Sequence, residues 1–220
     1  MRTLAALLCP AALLTAQVAR HANENYRTEQ QRAGITRTLT AADRDERQRP
    51  KELIAALELR PGMTVIDVGT GPGYMLPYLS AAVSPSGRVI AQDIFPDFLE
   101  QARRRADERE LVNITYIRGD ERDARLPEAA GDVMLVLDAY HHFDYPAEML
   151  ASLRRALKPD GRLVLVEYHK SKEAMGGRGE EHVRLGMDDA IREIEANGFK
   201  LVSRRDFVPK VQWIAVFRRN

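Results

Sequence analysis

A single cysteine, Cys9, stands in 220 residues. An intramolecular disulfide and a cysteine-based zinc cluster are therefore both excluded. An excess of charge of one sign is also missing: 33 basic residues against 32 acidic ones leave a formal +1. A chain so balanced has no global field for nucleic acid or an anionic membrane, and neither is expected as a partner. The apolar run at residues 4–14 is short and interrupted by Pro10, so no stable membrane span is expected. Internal repeats and low-complexity tracts are absent too. What remains is ordinary for a globular protein: 45% hydrophobic residues and 24.8 kDa, enough for one domain with a sizeable core and small additions.

The chain is organised around residues 65–74, Val-Ile-Asp-Val-Gly-Thr-Gly-Pro-Gly-Tyr. Val65, Ile66 and Val68 form a short β-branched run suited to a buried parallel strand. Gly69, Gly71 and Gly73 follow at alternate positions, where bare backbone lets a ligand approach closely. A dinucleotide fingerprint needs its third glycine at position 74, which is Tyr74. The spacing is instead G-x-G-x-G, with Asp67 two residues before the first glycine. This pattern resembles motif I of the class I S-adenosylmethionine-dependent methyltransferases, (D/E)-x-G-x-G-x-G. The resemblance implies S-adenosylmethionine as cofactor, held by Asp67, Gly69, Thr70, Gly71, Gly73 and Tyr74.

Further candidates follow in order. Residues 88–93 read as a second strand ending in Asp93, 20 residues after Gly73, where an acid can hold a ribose diol; Ile94 lies beside it. Residues 113–117 read as a third strand. In the family an acid in the following loop accepts from the adenine amino group; Asp120 fits best, with Glu121 and Asp123 close by. Residues 132–137 form the most apolar strand, expected to be central. It ends in Asp138-Ala-Tyr-His-His-Phe, where the resemblance places the meeting of methyl group and substrate. Asp138, His141 and His142 are the candidate catalytic residues, with Asp138 also expected to touch the cofactor. Residues 158–161 read as a turn before a fifth strand at 162–167, a passage much like the family's own. Residues 169–186 read as a glycine-containing loop or lid, followed by a helix and two closing strands.

Strand and helix alternate through five passages before the hairpin. That predicts an α/β fold with an open, doubly wound, mostly parallel sheet. The resemblance, over residues 51–220, adds seven strands in order 3-2-1-4-5-7-6 with the seventh antiparallel, a Rossmann-like methyltransferase fold. A helical N-terminal extension precedes it. Residues 20–50 are polar and arginine-rich, expected as a solvated arm, or more sharply as a cap with Tyr26 or an arginine touching substrate. Residues 1–19 combine a positive start, a short apolar stretch and small residues near Ala19, as in a secretory signal peptide, so export to the periplasm or medium is expected.

The chemistry implied is displacement of a methyl group from a sulfonium onto a small-molecule acceptor. His141 or His142 would serve as base or acceptor-positioning residue, at most one of them pointing into the site. No metal is assigned: adjacent histidines suit magnesium poorly, even with Asp138, His169 or His182 weighed as further ligands. No Asn-Pro-Pro-Tyr-like motif follows strand four, which disfavours amide or base-nitrogen methylation. The region looks more like the small-molecule branch, such as quinone methylases, and like uncharacterised exported bacterial methyltransferases with a similar Tyr-His-His-Phe passage. Two other readings remain at this point: a non-catalytic module that binds the cofactor, and an NAD-dependent oxidoreductase.

Overall fold

Alternating apolar side chains along the strands divide the core between the two faces of one sheet. The computed structural model describes residues 17–220. Its elements run α1 (Glu29–Leu39), α2 (Arg44–Gln48), α3 (Pro50–Leu57), β1 (Thr64–Val68), α4 (Leu76–Val83), β2 (Arg88–Asp93), α5 (Pro96–Asp107), β3 (Ile114–Arg118) and β4 (Gly131–Leu137). Then come α6 (Pro146–Ala156), β5 (Leu157–Tyr168), α7 (Gly179–His182), α8 (Met187–Ala196), β6 (Phe199–Val208) and β7 (Gln212–Arg219). Proline opens α3, α5 and α6, where its fixed φ suits the first turn and its missing N–H costs nothing.

The sheet has seven strands in order β3-β2-β1-β4-β5-β7-β6. β1 to β5 pair in parallel, and β7 is antiparallel to both β5 and β6. This is the expected fold. Val65, Val89, Val133, Leu135 and Val164 face α3, α4 and α5; Ile66, Ile90, Met134, Val136 and Leu163 face α6 and α8. Every residue of β1 is buried, as a central strand covered on both faces requires.

Two local features refine the expectations. The turn at 158–161 lies inside β5: Leu157 pairs with Gly131, and pairing resumes at Arg162 with Val133, so four residues loop out without ending the strand. The loop expected at 169–186 contains two short helical turns, Ala174–Gly177 and Gly179–His182, and buries Ala174 and Val183. The signal-like segment falls almost wholly outside the described residues. Ala19, at its expected cut, is 2% exposed and donates its N–H to Asp144. No helix among the described residues is long and apolar enough to cross a membrane.

Candidate active site

Four strands of this sheet finish in an acid. Asp67 lies near the end of β1, Asp93 closes β2, Asp138 follows β4 and Glu167 lies near the end of β5. The sheet order reverses between β1 and β4, and ligands of open α/β sheets bind in the crevice beyond the carboxyl ends at that point. The glycine turn is pressed into it. Gly69 has φ +69°, and a Cβ there would lie 2.8 Å from Ala139 Cβ; at Gly73, φ +81°, it would meet Ala102 Cα at 2.9 Å. No other residue type fits either position without moving the β4 loop or α5.

Asp67 is 3% exposed, and Thr70 donates its hydroxyl to Oδ2 at 2.7 Å. Asp93 accepts the Gly71 N–H on Oδ2 and the Phe95 N–H on Oδ1, each at 2.9 Å. Burial pushes both carboxyls up to about 6 despite these donors. Each oxygen keeps acceptor capacity beyond the bonds it makes. They border a cavity of about 610 Å³, a size typical of small-molecule sites. Gln92, in the same wall, buries an amide nitrogen that has no partner. Bare glycine backbone, buried acceptors and an orphaned donor fit a ligand such as S-adenosylmethionine, which carries ribose hydroxyls, an ammonium and a carboxylate.

Ten of the thirteen residues assigned from sequence to cofactor binding or catalysis border this cavity: Asp67, Gly69, Thr70, Gly71, Tyr74, Asp93, Ile94, Glu121, Asp138 and His142. Three do not. Gly73 packs beneath on Ala102. Asp120 spends its carboxylate on its own loop, accepting the Arg122 and Asp123 N–H groups and the Arg125 side chain, while its neighbour Glu121 faces the cavity. Of the two, Glu121 and not Asp120 borders the cavity. His141 is the third: it is 3% exposed and turned towards Glu167.

Asp138 sits at φ +51° and accepts from Arg44 Nη2 at 3.2 Å and Gln212 Nε2 at 2.6 Å. Burial raises its carboxyl to about 6, with Arg44 acting the other way. His141 Nδ1 lies 2.8 Å from Glu167 Oε1, and its backbone N–H donates to Oε2 at 3.0 Å. Burial, the largest single influence, opposes its protonation; Glu167 and Asp138 together turn the net shift upward. His142 Nδ1 lies 2.8 Å from Asn23 Oδ1. Burial, then His141 and His182, hold His142 well below the ordinary imidazole range. His182 brings a third ring to the pair, with centroids 5.1 Å from His141 and 5.5 Å from His142. His169 does not join them; it pairs with Asp206 at 2.9 Å.

Residues 17–48 are not a solvated arm. Asn23, Tyr26, Leu39 and Arg44 border the cavity, Arg32 pairs with Asp97 at 2.8 Å, and Gln48 meets Gln212. The segment covers the cavity, with Tyr26 stacked 6.0 Å from Phe95 and edge-on to His142 at 4.5 Å. Sequence reasoning passed over Glu167, Arg44, Asn23 and Gln212. Glu167 carried a readable signal, since an acid closing the apolar run Leu163–Val166 repeats the pattern of Asp67, Asp93 and Asp138. Arg44 and Asn23 belong to a polar segment without apolar periodicity, and Gln212 opens β7, where nothing local marks a polar residue as facing Asp138.

Residues 66–165 match the family model described as a methyltransferase domain. An uncharacterised 37.1 kDa transposon protein of Streptomyces fradiae is 41% identical over 115 residues, 52% of this chain and 33% of that one. The ubiquinone/menaquinone biosynthesis C-methyltransferase of Ectopseudomonas mendocina is 28% identical over 113 residues, 51% of this chain and 44% of that one. The chain thus spans less than half the length of these curated relatives. Among solved structures, a SAM dependent methyltransferase from Aquifex aeolicus superposes with a TM-score of 0.80 at 26% identity, covering 86% of this chain and 98% of that one. Residues 66–165 thus match a methyltransferase domain, and motif I on the first strand with a sheet of this order is similar to the class I S-adenosylmethionine-dependent methyltransferases.

Proposed function

We propose that this chain transfers the methyl group of S-adenosylmethionine to a small-molecule acceptor. The observation that carries the reading is the meeting of Asp67, Asp93, Glu121, Asp138 and His142 on one cavity at the reversal of strand order. The cofactor, when bound, supplies an electrophilic methyl on a sulfonium, open to in-line displacement.

The protein's part is holding, orienting and drying. Asp67 and Asp93 accept hydrogen bonds from the cofactor's polar hydrogens, and Gly69 and Gly71 leave room for it along bare backbone. Arg44 pairs with Asp138 at the cavity, so that this buried acid has a countercharge. Tyr26, Phe95, Phe98 and Phe143 give the cavity an aromatic wall that suits a flat acceptor. His142 is the polar group at that wall. It positions the acceptor and, where the acceptor has a proton to lose, takes it on the ring nitrogen not engaged by Asn23.

The test is incubation of the full chain with methyl-labelled S-adenosylmethionine and a panel of quinols, phenols and thiols. The proposal expects label in an organic-extractable product, reduced by about 10²-fold or more in His142→Ala at unchanged cofactor affinity. Label found only in protein would overturn the small-molecule acceptor, and no label in any fraction would overturn transfer. Export by residues 1–19 is a separate proposal. Cell fractionation should find the chain outside the cytoplasm beginning at Arg20; a cytoplasmic chain beginning at Met1 would refute it.

A further inference from the structure

Three imidazoles from two distant segments converge beside the cavity. His141 and His142 lie on the turn after β4, and His182 ends α7. One ring nitrogen from each lies within 4.8 Å of the other two. The ring centroids are 4.1, 5.1 and 5.5 Å apart.

The surroundings fix the tautomers of two of the rings. Glu167 Oε1 faces His141 Nδ1 at 2.8 Å, so in the neutral ring that binds a metal Nδ1 carries the hydrogen and Nε2 a lone pair. That Nε2 is buried and has no hydrogen-bond partner. Asn23 settles His142 in the same way. Its amide nitrogen donates to His142 O at 3.0 Å and Asp144 Oδ2 at 3.1 Å, which turns Oδ1 towards His142 Nδ1 at 2.8 Å. His142 Nε2 is then also a lone pair. The His182 ring has no hydrogen-bond partner among the described residues, and this side chain is partly exposed. Arg184, the nearby cation that acts on His141, is committed to Glu193 through two hydrogen bonds.

We propose that His141, His142 and His182 form a site for a divalent transition-metal ion of the zinc class, with Glu167 and Asn23 as outer partners that orient the ligands. A carboxylate behind a ligating imidazole is the usual support of such a site and raises the ligand's basicity. All-nitrogen donors select zinc, copper, nickel or iron and disfavour magnesium and calcium. Tetrahedral Zn–N bonds of about 2.0–2.1 Å need nitrogens roughly 3.4 Å apart, so nitrogens that now lie within 4.8 Å must close by up to about 1.4 Å. The short helix bearing His182, on a partly exposed edge, can supply that movement. Three protein ligands leave a fourth position open, and His142 borders the cavity. The ion would there hold an oxygen or sulfur donor of the acceptor and promote its deprotonation. His142 would act as a ligand while the ion is bound. The proposal goes beyond the sequence reading, which assigned no metal after weighing magnesium.

The site rests on the imidazole geometry and not on methyl transfer, so the two readings can be tested apart. Tag-free full chain, stripped with a chelator, is titrated with Co²⁺ and followed by visible absorption, then with Zn²⁺ as competitor. The proposal expects one Co²⁺ per chain, the intense bands of four-coordinate cobalt, and displacement by Zn²⁺. His182→Ala, checked for folding by circular dichroism, should lose at least about 10-fold in affinity, and Glu167→Gln roughly 10–100-fold. Calorimetric binding of S-adenosylmethionine should be unchanged in His182→Ala, since His182 does not border the cavity. Absence of saturable Co²⁺ binding at micromolar concentration, or binding unaltered by His182→Ala, would overturn the metal site. Intact cobalt binding without cofactor binding would overturn the functional reading and leave the metal site standing.

Discussion

Arg44 reaches from the N-terminal segment to Asp138 at the tip of β4, with Nη2 3.2 Å from Oδ2 and both side chains less than a tenth exposed. Removing the arginine leaves a buried acid with Gln212 alone. Arg44→Met should therefore destabilise the chain by about 3 kcal/mol at pH 8, where Asp138 would have to stay ionised. The sign with pH is set by the raised carboxyl. Its folded value, about 6 against the ordinary 3.8, rises further without the arginine, so the protonated acid is tolerated at low pH. Urea unfolding should show a smaller loss at pH 5 than at pH 8. A loss independent of pH would contradict this account of the pair.

Gly73 and Gly176 both have positive φ, yet only one is enclosed. A Cβ at Gly73 would press on Ala102 and Leu76, whereas nothing lies within 4 Å of one at Gly176. Gly176→Ala should cost about 1 kcal/mol, the backbone penalty alone. Gly73→Ala should cost about 2–4 kcal/mol and weaken cofactor binding, because the turn must move away from α5. Thermal unfolding of the two variants side by side makes the comparison.

The acids at the ends of β1 and β2 give opposite signs for stability and binding. Asp67 and Asp93 are each raised from 3.8 to about 6, so the folded chain binds more protons than the unfolded one between those limits. Stability of the free protein should fall as pH rises through that window, by about 3 kcal/mol per acid if the shifts act independently. Affinity for the cationic cofactor should rise through about pH 6, since the ionised acids are the better acceptors, and proton release should accompany binding near that pH. S-adenosylhomocysteine, without the sulfonium charge, should show a shallower dependence. Calorimetry in buffers of different ionisation enthalpy measures the released protons; a flat profile from pH 5 to 8 would count against both carboxylates as ligands.

Much of this was legible from residues 64–168 because a buried parallel sheet writes itself plainly. Val65, Ile66 and Val68, the glycines and the acids at strand ends are local signals, each tied to a backbone need. The roof of the cavity was not legible. Arg44, Asn23 and Tyr26 lie in a polar segment whose partners stand 94 residues away for Arg44 and 119 for the Asn23–His142 bond. Composition there says only that the surface is charged. Asp120 and Glu121 show the same limit within one loop: a residue can cap its own turn or face a ligand, and sequence spacing does not separate the two.

Tyr26 is the roof residue whose ring meets both Phe95 and His142. Tyr26→Phe keeps these packing contacts and should leave ligand affinity within about twofold. Tyr26→Ala opens the cavity to water and should weaken it by about 10-fold, the worth of one buried aromatic contact. Equal effects from the two variants would assign the role to the hydroxyl instead.

The central claim is that the cavity at the end of β1 and β2 holds S-adenosylmethionine. It is tested most directly by calorimetric titration of the full chain with S-adenosylmethionine, S-adenosylhomocysteine and NAD. The account predicts saturable one-to-one binding of the first two, none of the third, and a loss of at least about 10-fold in Asp93→Ala, whose N–H partners Gly71 and Phe95 would lose their acceptor. Binding of NAD alone, or undiminished binding in Asp93→Ala, would contradict it.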